Sequence, residues 1–125
     1  MSMFKVSVVA ANHKQDELKT PPIDVWVDTG SELTWLPADA LKQINVVPQR
    51  EWAFTTATQQ TVKRQTGYAI VQAEGYETID EVVFAEPGDL TLLGVRTLEG
   101  FGVMVDNIGH RFMATTTIVA STVAS

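Results

Sequence analysis

The chain has 125 residues, 45% hydrophobic and 19% charged, enough for one globular domain with a modest core. Its formal net charge of −6 argues against nucleic acid or an anionic membrane as the main partner. Cysteine is absent, which excludes a disulfide framework and a thiolate zinc site. No His-x-x-x-His or paired-carboxylate ligand spacing appears, so no metal and no cofactor are expected.

Residues 4–11 place Phe4, Val6, Val8 and Ala10 in alternation, the period of a half-buried strand. The polar stretch 12–22 closes on Pro21-Pro22 and reads as a loop. Residues 23–28 contain the β-prone run Val25-Trp26-Val27, expected as a strand buried on both faces and ending in Asp28. A carboxylate there is expensive to bury unless it is paired or hydrogen-bonded, so Asp28 is a candidate functional acid. Gly30 permits a sharp turn that brings amide N–H groups near that acid, and Thr29 supplies a hydroxyl to fasten the loop. The bland alternative is a strand and a turn capped by the Asp28 side chain. Asp-Thr-Gly arises by chance in roughly a few per hundred chains of this length.

Residues 33–36 read as a short strand, and Pro37 stands where a helix over 38–43 can begin. Residues 50–56 and 61–73 read as a long hairpin with Ala57-Thr58-Gln59-Gln60 at its tip. A strand over 78–85 leads to the turn Glu86-Pro87-Gly88-Asp89. The stretch 90–93 is again β-prone and is closed by Gly94. A short helix over 95–100 and a strand over 101–106 follow. Many strands with turns at short intervals suggest a closed or nearly closed β architecture. The uncharged tail 113–125, rich in Thr, Ala, Ser and Val, is an aggregation hazard unless it pairs with a sheet or stays flexible. The N-terminus lacks a long apolar core of the signal-peptide kind, and no apolar run approaches a membrane span, so a cytoplasmic protein is expected.

Two segments together carry a family resemblance. They are Val27-Asp28-Thr29-Gly30-Ser31 and, some sixty residues later, Leu92-Leu93-Gly94 with the helix and Gly102-Val103-Met104-Val105-Asp106 after it. In order and spacing the chain resembles a single-domain, retropepsin-like aspartic protease of the bacterial type, over roughly residues 4–112. The resemblance implies an all-β fold, a closed β-barrel or acid-protease half-fold with one or two short helices, forming a two-fold dimer. It places one protease domain over 1–112, and it gives the tail 113–125 or the N-terminal strand a role as an interface strand.

The chemistry of such proteases needs two carboxylates that share one proton. The chain has no internal repeat and no second Asp-Thr/Ser-Gly, so a homodimer must supply the second acid through an isologous interface. By resemblance Asp28 is the catalytic acid, Thr29 locks the two active-site loops across the dimer, and Gly30 shapes the loop. Ser31 is placed to donate to the outer carboxylate oxygen of Asp28 and to meet substrate. The tip Ala57, Thr58, Gln59 and Gln60 resembles the flap that closes over a bound peptide, and Leu92-Leu93-Gly94 the segment beneath the active-site loop. The implied activity is peptide-bond hydrolysis, with a peptide or protein as substrate. The chain departs from the family in having no glycine at the flap tip, and in placing Val95 before Arg96 after the second motif.

Three other constellations are weaker. His13 and His110 with Ser31 or Ser121 would make a Ser/His/Asp site, but solvent-facing histidines explain them. Glu77, Asp80 and Glu81 would make a paired-acid site, but they read as a solvated strand edge protected by charge. Trp26 and Trp35 are expected in the core, and Trp52 in hairpin packing or a substrate groove. A rival from another class is a non-catalytic peptide-binding or dimerisation module that keeps the fold.

Overall fold

The computed structural model describes residues 3–115 and 120–121. The chain is mostly β, with two short helices. The elements run β1 (Lys5–Ala11), β2 (Ile23–Val27), β3 (Thr34–Pro37), α1 (Ala38–Gln43), β4 (Arg50–Thr55) and β5 (Thr61–Ala73). They continue as β6 (Tyr76–Ala85), β7 (Leu92–Leu93), α2 (Val95–Phe101), β8 (Val103–Asp106) and β9 (Arg111–Ala114).

Seven strands form one sheet in the order β1-β2-β7-β3-β6-β5-β4. β1 serves two neighbours: Lys5 to Val8 pair antiparallel with β2, and Val8 to Ala11 pair antiparallel with β5. The alternation read from residues 4–11 holds, with Val6, Val8 and Ala10 buried. They meet Val25, Leu36, Val71, Val82 and Leu93 in one core, to which α1 adds Leu41 and α2 adds Leu98 and Phe101. Each Val or Leu fully buried there contributes roughly 1.5–3 kcal/mol relative to exposure.

The expectation that β2 is buried on both faces is corrected. Val25 and Val27 are buried, Asp24 is exposed and Trp26 is half-buried. At β2 only one face looks into the core, so the strand follows a period of two like β1. Trp26 and Trp35 both lie on the outer face as half-buried residues. The Lys5 Nζ sits 4.8 Å over the Trp26 ring.

Local chemistry sets the boundaries. β6 begins at Tyr76, two residues before the expected start, because Glu74 and Gly75 take positive φ of 53° and 82° and close a two-residue hairpin turn. α1 is capped at Ile44, after which Asn45 enters the left-handed region with φ 61° and its N–H donates to the Lys42 carbonyl. α2 ends at Gly102 with φ 73°, whose N–H returns to the Glu99 carbonyl. The tail expected over 113–125 begins inside β9, which pairs antiparallel with β8, Met104 opposite Met113. Phe4 stacks on His110 at 5.2 Å between centroids and tilts against Phe112 at 6.3 Å, so this small hairpin folds back onto the chain start. Most of the remaining tail lies outside the described residues. Among the described residues, no helix is long and apolar enough to cross a membrane.

Candidate active site

β2 delivers Asp28 to the first position after the strand. Its N–H donates to the Leu93 carbonyl at 3.0 Å, which continues the parallel β2–β7 ladder by one rung. The loop then turns back on itself. The Gly30 N–H donates to Asp28 Oδ1 at 2.9 Å, and the Ser31 N–H to the Asp28 carbonyl at 3.2 Å. Asp28 is half-buried as a residue while Thr29 and Gly30 are exposed. The loop therefore presents its acid and hydroxyl at the protein surface, with one carboxylate oxygen fixed by a backbone amide. The expected role of Ser31 is corrected in one respect. Its hydroxyl donates to the Leu33 carbonyl at 2.8 Å, because the chain reverses there and leaves that carbonyl within reach.

The second segment locks this loop from behind. The Val95 N–H donates to the Ser31 carbonyl at 2.8 Å, and the Arg96 N–H to the Glu32 carbonyl at 3.1 Å. The Gly94 N–H donates to Thr34 Oγ1 at 2.9 Å. Gly94 has to be glycine for reasons of space, since a Cβ there would lie 2.4 Å from the Leu33 carbonyl oxygen. A buried polar chain extends from this crossing: Thr34 Oγ1 lies 2.6 Å from Thr97 Oγ1, which donates to Asp80 Oδ2 at 2.9 Å. The direction of each proton follows. Thr97 spends its hydrogen on Asp80, so Thr34 must donate to Thr97 and accept from Gly94.

The hairpin tip folds without glycine. Gln59 takes the left-handed conformation with φ 66° that glycine usually supplies. Thr56 holds the turn, its carbonyl accepting from the Gln59 N–H at 2.9 Å and its Oγ1 from the Gln60 N–H at 3.2 Å. Among the described residues the bonds of Ala57, Thr58, Gln59 and Gln60 stay within the hairpin, and none joins the tip to the Asp28 loop. The stem is anchored instead, by Phe54 packing edge-on against Trp35 at 5.0 Å.

The reading of Glu77, Asp80 and Glu81 as a solvated edge is corrected for the last two. β6 lies between β3 and β5, not at an edge, and Glu81 is only 4% exposed. Arg50 clamps the Glu81 carboxylate with two bonds of 2.9 and 2.7 Å. The Trp52 indole N–H donates at 2.9 Å and the Thr66 hydroxyl at 2.6 Å. The Arg50 fork, with help from Thr66 and Trp52, holds this carboxyl at a pKa of about 2 against the desolvation that would raise it. A depressed pKa stabilises the fold above the group's ordinary value of 4.5, and the gain is lost as pH falls from there towards 2. The shift corresponds to about 3 kcal/mol. Denaturant titrations of the wild type and Glu81→Gln should therefore differ most above pH 5 and converge towards pH 2. A gap that stays constant across that range would show that the charge of Glu81 contributes nothing.

His13 lies exposed in the 12–22 loop, far along the chain from His110 on the β8–β9 turn, and Ser121 is exposed. Among the described residues no three His, Cys, Asp or Glu side chains cluster to hold a metal ion.

No family model matches the chain, and no curated protein matches it. Among solved structures it is similar to a foamy viral protease-reverse transcriptase, captured in complex with double-stranded DNA. The likeness has a TM-score of 0.53 and 19% identity over 76% of this chain. The chain shares its fold with part of that viral protein. It spans only 14% of that protein's length, and at this identity the similarity is one of fold.

Proposed function

We propose that the chain is a retropepsin-like aspartic endopeptidase, active as a homodimer in which two copies of Asp28 form one site. The observation that carries this reading is the interlock of the Asp28-Thr29-Gly30 loop with Leu93, Gly94 and Val95, which sets a single surface acid in a backbone-braced turn. In this reading the pairings from β1 through β2, β7, β3, β6 and β5 back to β1 make a closed barrel. The part of the viral protein that the chain matches is then its protease. The described face around Asp28 is half of a site. A two-fold axis beside the exposed Thr29 brings the second loop and completes it.

The chemistry follows from two carboxylates in contact. One, ionised, takes a proton from a water, whose oxygen attacks the peptide carbonyl carbon. The other, protonated, donates to the carbonyl oxygen. Collapse of the tetrahedral intermediate breaks the C–N bond: the second carboxylate takes a proton back from one hydroxyl of the intermediate, and the proton held by the first carboxylate goes to the leaving nitrogen. The products are a carboxylic acid and an amine, with one water consumed and no cofactor. An extended peptide lies between the β4–β5 hairpin and the loop floor, adding main-chain bonds as a further strand. The partners in this reading are a second copy and a peptide or protein, in the cytoplasm. The net charge of −6 favours these over nucleic acid or membrane.

The test is hydrolysis of a quenched fluorogenic peptide library at a series of protein concentrations, with and without a pepstatin-type transition-state mimic. Cleavage whose rate per mole falls on dilution, and which the mimic inhibits, is expected. A rate per mole that stays constant through the dimer dissociation range would remove the two-chain site. Peptide binding with no cleavage would favour the non-catalytic module.

A further inference from the structure

Glu81 and Arg96 tie together two parts of the molecule that are distant in sequence. On one side, the Glu81 carboxylate gathers the stem of the β4–β5 hairpin, through the Arg50 fork, the Trp52 indole and the Thr66 hydroxyl. Arg50 also lies over the Trp52 ring at 4.5 Å, so the two hairpin donors brace each other. On the other side, Arg96 on α2 reaches the same carboxylate, its Nη1 lying 3.9 Å from Glu81 Oε1. The same guanidinium donates through Nε to Glu32 Oε2 at 3.2 Å. Glu32 stands two residues after Gly30, and its carbonyl accepts the Arg96 backbone N–H. A line of charges thus runs from Arg50 on the hairpin stem to Glu81, to Arg96 and to Glu32 beside the Asp28 loop, alternating in sign from Arg50 to Glu32.

We propose that Glu81 is a positioning residue that couples the β4–β5 hairpin to the Asp28 loop through Arg96 and Glu32. Its physical basis is the burial of one acid between two arginines on different elements. A movement of the hairpin that draws Arg50 away leaves Glu81 under-compensated, and Arg96 is the cation placed to swing towards it. The Arg96 side chain is half-exposed and holds the Glu32 carboxylate by a single exposed contact, so the guanidinium can respond while the backbone bond to Glu32 stays. Asp80, the preceding residue, strengthens the arrangement from the opposite face of β6. Its Oδ1 accepts the Glu81 N–H at 2.8 Å while its Oδ2 ends the Gly94-Thr34-Thr97 chain. One strand thereby carries both the anchor of the hairpin and the anchor of the loop crossing. That the loop is catalytic rests on the protease reading; the coupling itself does not.

The test is amide hydrogen exchange of the full chain in two variants. Arg50→Lys keeps the charge but removes the two-bond fork at a half-exposed position. Glu81→Gln keeps the shape and removes the charge shared by the two arginines. The Gly30 and Ser31 amides should change their exchange rates at least threefold in both variants, together with the amides of β4. The core amides of Val8 and Val71 serve as the reference and should hold their wild-type rates in Arg50→Lys. A response in Arg50→Lys confined to β4 and β5 would overturn the coupling, whatever Glu81→Gln does to overall stability. On a quenched peptide that the wild type cleaves, both variants should also show at least a threefold change in kcat/KM. If the wild type cleaves no peptide, the protease reading fails and the exchange comparison alone decides the coupling.

Discussion

Replacing Asp28 by Asn is expected to lower peptide hydrolysis by roughly 10²–10⁴-fold, the usual worth of a positioned acid–base group, while leaving the fold in place. The substitution is isosteric. Asn retains an Oδ1 that accepts the Gly30 N–H, now at 2.9 Å, and the backbone bonds to Leu93 and from Ser31 are untouched. The side chain is half-buried, so its added amide hydrogens reach water and no buried donor is left unpaired. What disappears, on the protease reading, is the ionisable oxygen that would take the proton of water. The expected signature is loss of turnover with a thermal midpoint close to wild type. A second consequence separates a two-chain site from a one-chain site. Added in excess to the wild type, the Asp28→Asn variant should draw wild-type chains into mixed dimers and suppress their activity. Unchanged turnover in the variant would end the mechanism. Additive activity in the mixture would end the shared site.

The parts of this molecule legible in its sequence are those governed by near neighbours. The Asp28 loop can be read because strand period, acid, small hydroxyl and glycine lie side by side, and the turn they make closes through bonds over two or three residues. The hairpin tip is legible as a turn, although the residue that adopts positive φ there is Gln59, which composition does not mark. Glu81 escapes a sequence reading for a definite reason. Its partners Thr66, Trp52 and Arg50 are 15, 29 and 31 residues away, and nothing in a run of acids says which one the sheet will bury. The signal that could have found it is topological. β6 pairs with β5 along most of its length and with β3 from Val82 onward, so an acid buried directly before that second pairing needs partners. The Thr34–Thr97 contact spans 63 residues and is equally silent. Leu92-Leu93-Gly94 reads locally only as β-prone residues closed by glycine and gains a role by resemblance, and the structure supplies the physical content: it is where two chain segments cross at backbone contact.

That crossing makes Gly94→Ala the substitution expected to cost the most stability. Gly94 has φ −94°, a conformation open to any residue, so backbone strain plays no part. The obstacle is space. The new Cβ would lie 2.4 Å from the Leu33 carbonyl oxygen and 3.0 Å from that of Ser31. Both are backbone atoms, which cannot rotate aside as a side chain can. The segments must separate, and the bonds from Val95 to Ser31, Arg96 to Glu32 and Gly94 to Thr34 stretch together. Overpacking of about 1–3 kcal/mol, with about 1 kcal/mol for each of the three hydrogen bonds weakened, brings the expected loss to roughly 4–6 kcal/mol. Gly102→Ala supplies the contrast. That residue has φ 73° and nothing within 4 Å of its absent Cβ, so the penalty is conformational alone, about 1 kcal/mol, and falls away from the crossing. Urea unfolding of the two variants checks the order. If Gly94→Ala proves as mild as Gly102→Ala, the crossing yields easily and does not hold the Asp28 loop. If it is severe, the geometry of the acid depends on a contact that only glycine allows, made 66 residues further along the chain.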